Sequence, residues 1–247
     1  MKKLFVLVLC SYFIMLSAVA QEKESKVEAD SIFRINEISL VVTDLIDGSY
    51  QFRYERKFNE HISIGLGTAI KTKEGLINIS GIDRERLKTG DITYSGIKLI
   101  PDVRYYLNKT QQYQLDGFYF GAYAKYFHFT SNINGMYISS KPREYTIDMD
   151  AKINILSLGL LVGYKLALNS RFTIDFLILG PGTSHHKYKL YNHTELPEEF
   201  YEDLNQALQN LSLYDLVESD FRFDFKDRRT EFSTISFRYG LTIGYTF

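Results

Sequence analysis

The residues most able to do chemistry in this chain are charged side chains that recur at alternate positions of apolar segments. Brought together in a confined space, opposite charges can pair, or they can form a path for protons or ions. The residues of this kind are Arg53, Glu55, Lys98, Asp102, Arg104, Lys125, Asp175 and Arg238. We expect them to form a paired, hydrogen-bonded cluster, with an ion or proton path as the alternative.

Histidines could in principle form a metal site. His185 and His186 are adjacent, and His193 follows nearby. Neighbouring side chains on a strand point to opposite faces. No cysteine or regular carboxylate spacing accompanies these histidines, as a zinc site would need. We therefore expect solvated loop residues, no metal site and no cofactor.

His128 and Thr130 could act as a base and a hydroxyl nucleophile, because residues two apart share one face of a strand. The pair is similar to the His-x-Ser pair of outer-membrane lipid A deacylases, with threonine in place of serine. No acid that would orient His128 can be identified, and no nucleophile motif occurs elsewhere. The sequence therefore predicts no enzyme and no catalytic or cofactor-binding residue.

Strict alternation identifies the elements that position these residues. In the last segment the apolar positions run from Ile235 to Phe247, and small or polar residues stand between them. A period of two places each set on its own face of a strand. Similar alternation predicts eight strands, near 36–45, 50–58, 62–70, 97–107, 117–126, 156–165, 172–178 and 235–247. Pro101 interrupts the fourth, where it removes a backbone donor unless it lies at a bulge.

The predicted connections alternate between short and long. Short polar turns follow the second, fourth and sixth strands, and Asp47-Gly48 is a hairpin signal after the first. The long connections are Thr72–Ile92, Ser131–Asp150 and Gly182–Arg229. This pattern is typical of membrane barrels with short periplasmic turns and longer external loops. It predicts an all-β, eight-stranded antiparallel up-and-down transmembrane barrel, with both termini periplasmic.

The last long connection contains a predicted surface helix. From Pro197 to Leu211, apolar residues recur at helical spacing, at Phe200, Leu204, Ala207, Leu208 and Leu211. Pro197 suits the first turn, and the acidic residues that follow suit the positive end of the helix dipole. We expect the helix to pack on the barrel mouth, with a partner-binding face as the alternative.

The amino terminus resembles an export signal. Lys2 and Lys3 precede an apolar run from Leu4 to Leu16, and Ala18-Val19-Ala20 forms a cleavage motif. The run is too short to span a bilayer as a helix. We therefore expect a signal peptide at 1–20, a periplasmic lead-in at 21–33 and the barrel at 34–247. Cys10, the single cysteine, would be removed with the signal.

Charge and composition narrow the possible partners. The 29 basic and 30 acidic residues nearly cancel, so no concentrated basic face indicates nucleic-acid binding. With 19 Tyr, 18 Phe and 16 Gly, the composition favours β-structure, and no apolar stretch after the signal reaches the length of a helical span.

Several stretches together resemble a Bacteroidetes family of small outer-membrane barrels of largely unassigned function, related in shape to the OmpA, OmpX and OmpW barrels. They are NEISLVVTDLIDGSYQFRYERKFNEHISIGLG, PDVRYYLN, GFYFGAYAKY, LSLGLLVGYKLALNSRFTIDFLILGPG and RYGLTIGYTF. The resemblance implies an eight-stranded barrel of the Gram-negative outer membrane, in contact with outer-membrane lipid and lipopolysaccharide. It also implies that the barrel-assembly machinery recognises the strand ending at Phe247.

Three function classes follow from these expectations. The first is a non-enzymatic structural or surface-interaction protein whose external loops contact other proteins, surfaces or lipopolysaccharide. The second is an accessory subunit of a secretion, uptake or fimbrial machine that docks through the loop helix. The third is a narrow, porin-like channel for small or apolar solutes. We expect the first, and also that the charged side chains plug the lumen.

Overall fold

The structure is a computed structural model that describes residues 35–73, 80–107, 115–141, 143–211, 223 and 225–247, with the backbone alone at 208–211. The predicted signal peptide at 1–20 and lead-in at 21–33 lie outside these residues, as does Cys10. Their boundaries, and that of the barrel at 34–247, stay predictions.

Eight strands of the described chain form a closed antiparallel ring. Each pairs with the next along the chain, and the last pairs with the first. One further strand, β4, lies against β6. The strands are β1 (Asn36–Val41), β2 (Ser49–Lys57), β3 (Ile62–Lys71), β4 (Leu87–Thr89), β5 (Thr93–Tyr106), β6 (Gly117–Ile138), β7 (Glu144–Ala167), β8 (Phe172–Asn192) and β9 (Arg229–Thr246). The predicted eight-stranded up-and-down barrel is confirmed.

Side chains alternate between the interior and the outside as the sequence predicts. In β2, Arg53 and Glu55 are buried inside the ring, whereas Tyr50, Phe52 and Tyr54 are exposed outside it. Pro101 in β5 faces outward, and the register with β6 is the same before and after it, with Leu99 opposite Tyr126 and Asp102 opposite Tyr123. The proline therefore does not shift the pairing.

The chain ends complete the ring. Phe247 donates its backbone N–H to the carbonyl of Asn36 at 2.9 Å, and Asn36 donates to the carbonyl of Phe247 at 3.2 Å. Five residue pairs join β1 to β9, from Glu37 opposite Thr246 to Val41 opposite Thr242. A 3₁₀ helix at Thr43–Asp47 follows β1, so this strand is shorter than predicted.

Two of the predicted long connections are wrong. Ser131–Asp150 is mostly strand, because β6 continues to Ile138 and β7 begins at Glu144. Residues 182–192 of the third connection likewise belong to β8. In the extensions of β7 and β8, apolar residues such as Ile147, Met149 and Leu190 point inward, whereas the prediction expects outward-facing ones. Part of the first connection, at 74–79, lies outside the described residues.

Strand β7 shows how the two faces exchange their chemistry. From Leu156 to Tyr164 its outward residues are apolar, and from Thr146 to Asn154 they are polar. Its inward residues change in the opposite sense, with Ile147, Met149 and Ala151 buried above the change. We call the part of the barrel that contains Asn36 and Phe247 the lower half, and the extensions of β6–β9 beyond this change the upper half.

Helix α1 (Glu198–Leu211) packs against the upper half, which confirms the predicted helix between β8 and β9. Phe200, Leu204 and Ala207 are buried in one apolar cluster with Tyr137 and Leu190. Asn205 holds the chain beyond the helix, because its side chain bonds both the carbonyl and the N–H of Phe223, at 2.9 and 2.7 Å. No helix among the described residues has the length and apolar character to cross a membrane.

Candidate functional site

Glu55 lies at the centre of an ionic network inside the lower half. Its carboxylate accepts hydrogen bonds from Lys165 at 2.5 Å and Tyr106 at 3.0 Å, and from Arg53 and Ser63. The side chain is fully buried, so these donors replace the water that an exposed carboxylate would have. Donors from β2, β3, β5 and β7 therefore meet at one carboxylate.

Two arginines extend this network across the lumen. Arg53 forms a two-pronged contact with Asp102, with Nε–Oδ2 and Nη2–Oδ1 distances of 2.9 and 2.7 Å. Arg104 bonds Asp102 at 3.2 Å and Asp175 at 2.5 Å. Bidentate arginine–carboxylate contacts are among the stronger hydrogen bonds in proteins. Five of the eight predicted charges thus lie in one network: Arg53, Glu55, Asp102, Arg104 and Asp175.

Glu37 and Lys165 also belong to this network, although the predicted charged group contains neither. Lys165 Nζ lies 2.7 Å from Glu37 Oε1, and Thr173 donates to the other oxygen of Glu37 at 2.9 Å. Both charged side chains are almost fully buried. The alternation could have identified both as inward residues, because Glu37 precedes the outward Ile38 and Lys165 follows the outward Tyr164.

Glycines provide the space that the large interior groups occupy. A Cβ at Gly163 would lie 2.2 Å from the hydroxyl of Tyr119, which donates to Asp175 at 2.8 Å. A Cβ at Gly65 would lie 2.1 Å from the Arg53 guanidinium. A larger residue at either position would displace these groups. Side chains, rather than an open pore, therefore fill the network layer.

Above the network lies a polar chamber of about 160 Å³ that contains the other three predicted charges. Lys98 contacts Asp44 at 3.2 Å. The Lys125 ammonium lies 4.4 Å from the ring centre of Phe127, and the Arg238 guanidinium lies 4.5 Å from that of Tyr123. Among the described residues, no carboxylate lies within ion-pair distance of Lys125 or Arg238. The structure thus divides the predicted cluster into a paired layer and a partly uncompensated one.

The upper half contains a second, apolar cavity of about 140 Å³ beneath helix α1. Ile147, Met149, Leu190, Phe200 and Leu204 contribute to its wall. The helix is held there by polar contacts at its first turn. The ring of Phe200 in α1 also contacts the ring of Tyr137 in β6, with centroids 5.3 Å apart.

These contacts at the first turn of α1 converge on Arg86 and Glu199. Arg86 bonds Glu199 at 3.1 Å, and the hydroxyl of Ser140 donates to Glu199 at 2.6 Å. The hydrogen bonds from Ser140 lower the pKa of Glu199. Tyr137 donates to Asp203 at 2.7 Å, and burial followed by this bond raises the pKa of its hydroxyl. No part of this arrangement resembles a nucleophile with its base.

The histidines lie apart from one another in different environments. His185 is close to Ser233 and Glu231 on the outside, whereas His186 stacks on Phe232 with ring centres 4.7 Å apart. His193 bonds Asp150 at 3.0 Å. Within the described residues, no group of three or more His, Cys, Asp or Glu side chains is arranged to hold a metal.

His128 and Thr130 share the outer face of β6, as the sequence predicts. His128 Nδ1 lies 2.7 Å from the amide oxygen of Asn154, and Thr130 is exposed. Asn154 thus occupies the position next to the imidazole where an orienting acid would lie.

Comparison with known families and proteins gives one sequence match. The family described as "Protein of unknown function (DUF3575)" matches residues 85–213, slightly more than half of the 247 residues. No curated protein matches the chain. The matched region runs from the approach to β4 to just beyond α1, and therefore includes most of the upper half.

Solved structures of outer-membrane proteins are similar at low identity. CarO of Acinetobacter baumannii is 10% identical, with a TM-score of 0.38, over 89% of this chain and all of CarO. A major outer membrane protein of Thermus thermophilus is 13% identical, with a TM-score of 0.41, over 87% of this chain and 98% of its own. The N-terminal barrel of Pseudomonas aeruginosa OprF is 10% identical, with a TM-score of 0.26, over 87% and 98%. The fold assignment itself rests on the strand pairings.

Proposed function

Because this chain belongs to the DUF3575 family, whose function is unknown, we propose a function from its geometry. It is a non-enzymatic barrel of the Gram-negative outer membrane with a structural or surface-interaction role. The lower half spans the membrane, both chain ends lie in the periplasm, and the upper half extends outside the cell.

The exchange of polarity along the strands carries this proposal. Below the exchange, large apolar side chains are exposed on every strand of the ring, and Tyr239 retains 78% of its surface. A continuous apolar band would promote aggregation in water. Contact of the same band with lipid is favourable. Where the ring is closed, each strand pairs with a neighbour on both sides, as a membrane barrel requires. Above the exchange the outward residues of β7, from Thr146 to Asn154, are polar, which suits an aqueous surface.

The packed lumen supports a structural role over a channel. An eight-stranded ring has room for side chains, whereas water-filled porins use about 16–18 strands. Here the network around Glu55 and Asp102 fills the interior of the lower half. The accessory-subunit alternative also has less support, because helix α1 already buries its described apolar residues against the barrel.

The proposed partners follow from position. Outer-membrane lipid and lipopolysaccharide would contact the apolar band and its outer rim, and protein partners would contact the upper half. The barrel-assembly machinery would bind β9, whose last residues close the ring. These partners are proposals that depend on the location in the outer membrane.

Fractionation of cells expressing the full chain tests the location. We expect the protein in the outer-membrane fraction as a heat-modifiable band, and no stable conductance steps from purified protein in planar bilayers. A variant lacking Tyr245–Phe247 loses part of the β1–β9 pairing and should disappear from that fraction. A periplasmic wild-type protein would contradict the location, and reproducible ion-selective steps would contradict the plugged lumen.

A further inference from the structure

The wall of the barrel has an open edge beside the polar chamber. Pairing between β9 and β1 stops at Thr242, and the last backbone bond joins the N–H of Val42 to the carbonyl of Leu241 at 2.8 Å. From Arg229 to Gly240, β9 pairs with β8 on one side, and no strand of the described chain pairs with its other side. An unpaired strand edge is a place where a second molecule can bind.

The chamber continues around this edge. Its wall includes Arg238 and Gly240, which face the interior, and also Phe237 and Tyr239, whose side chains face outward. These four consecutive residues lie on the stretch of β9 that β1 leaves unpaired. Val41 and Leu177 are further apolar residues of the same lining. The chamber therefore reaches an unpaired edge of the barrel wall, beside the outward-facing Phe237 and Tyr239.

The chamber has an excess of positive charge. Five cationic and three acidic residues line it, and Asp102 and Asp175 are already bonded to arginines of the network. Lys125 and Arg238 contact aromatic rings instead of carboxylates. Both side chains are partly buried, and a cation that loses part of its water is stabilised by a nearby anion or hydrogen-bond acceptors. A small anion in the chamber would provide that compensation.

We propose that this chamber binds the head group of a single-chain anionic amphiphile, with a carboxylate or phosphate near Lys125 and Arg238 and an acyl chain that leaves past Phe237 and Tyr239. This site goes beyond the proposed structural role. It rests on the proposed membrane location in one respect, because the end of the acyl chain would lie in the surrounding lipid.

The dimensions favour a small head group. A volume of about 160 Å³ provides room for a carboxylate or phosphate group. The ionic network closes the chamber on the side of the chain ends, since Arg53, Asp102 and Arg104 form part of both. The ligand therefore binds without passing through the barrel.

Native mass spectrometry of the purified barrel in a non-ionic detergent tests this site. Four probes separate head from tail: laurate, lauroyl lysophosphatidate, 1-dodecanol and inorganic phosphate. We expect a single saturable adduct with laurate or lysophosphatidate, and affinity at least about tenfold weaker for the neutral alcohol and the tailless phosphate. The stronger of the two anionic probes identifies a free fatty acid or a membrane lipid as the source.

Three variants and a control locate the adduct. Lys125→Gln and Arg238→Gln should each weaken it by about tenfold or more. Gly240→Val should weaken it without removing a charge, because a Cβ there lies 3.3 Å from the Thr43 hydroxyl at the opening. Lys152→Gln, which removes an outward cation of the upper half, should leave it unchanged. Heat-modifiability of each variant verifies folding.

Several outcomes would overturn the proposal. These are equal binding of dodecanol and laurate, binding of phosphate as tight as that of laurate, or adducts that persist unchanged in folded Lys125→Gln and Arg238→Gln variants. The probe comparison uses the wild-type protein alone, so it decides even if a variant does not fold. Failure here leaves the fractionation result, and hence the proposed membrane role, intact.

Discussion

The two halves of this barrel are built from the same strands with opposite chemistry. In the lower half of β7, Lys165 points inward and Leu156, Leu158 and Leu160 point outward, whereas above the exchange Met149 points inward and Lys152 outward. The pairing of β6 with β7 continues through this exchange without a shift in register. Each face of one continuous strand therefore changes polarity along its length, and this change follows the surroundings of the face.

The halves also differ in what holds them together. In the lower half, charged groups satisfy one another, so removing one leaves its partners without compensation. In the upper half, apolar side chains and helix α1 form a core like that of a water-soluble protein. Mutations in the two halves should therefore destabilise the protein in different ways.

The largest effect is expected from Glu55→Gln. The change keeps the shape but removes one partner of the buried ion pairs with Lys165 and Arg53, and breaking such pairs should cost ~3–5 kcal/mol of unfolding free energy. Equilibrium unfolding in urea, from lipid vesicles, measures it. Planar bilayers should still show no conductance, since the other side chains continue to fill the lumen.

The matched control is Glu231→Gln in the upper half. Glu231 pairs with Lys187 at 3.2 Å, and both side chains are about half exposed. Such surface pairs contribute about 0–1 kcal/mol. Similar costs for the two variants would show that the lower half does not depend on its ion pairs.

A smaller and more local effect is expected from Met149→Ala in the upper half. The side chain is buried beneath α1, and truncation of such a residue costs ~2–5 kcal/mol through lost contacts and a larger cavity. Hydrogen exchange should show faster opening of α1 and the upper parts of β7 and β8, with unchanged protection near Glu55. Uniform loss of protection throughout the barrel would mean that the two halves unfold as one unit.

The smallest effect concerns His193 at the outer end. Its hydrogen bond to Asp150 raises the pKa of the imidazole above its ordinary value of 6.5. Because the folded-state pKa is raised, the interaction stabilises the fold below pH 6.5 and is lost as pH rises through the folded-state pKa. An NMR titration should show the raised pKa, which falls toward 6.5 in Asp150→Asn and at high salt. An identical pKa in that variant would rule out the bond.

Alternation was sufficient to predict the eight strands of the ring and the inward direction of their charges. Period two places Arg53, Glu55, Asp102 and Arg104 on the inner face, and the structure finds them there. The helix was also predictable, because its apolar residues recur at helical spacing. These features are local, and each depends only on residues near one another in the sequence.

The upper half could not be predicted in the same way. Its strands also alternate, but their apolar residues, such as Ile147, point inward. These segments therefore lack the outward apolar face that identifies the other strands, and they resemble loops in the sequence. Pairing within the lumen is another long-range property. Glu37 and Lys165 lie near strand ends, where a charge is equally compatible with a polar rim. Whether Lys125 has a carboxylate partner depends on the closed ring and not on its own strand.

The bond between Lys165 and Glu37 has a consequence for how the barrel assembles. The two residues are separated by 128 positions, and the bond forms only when β1 and β7 are both in place. A half-inserted chain would carry these charges, and those around Glu55, without their partners, at a high free energy in lipid. Partly formed barrels should therefore be short-lived, and entry into the membrane should be a concerted, nearly all-or-none event that the last strand completes.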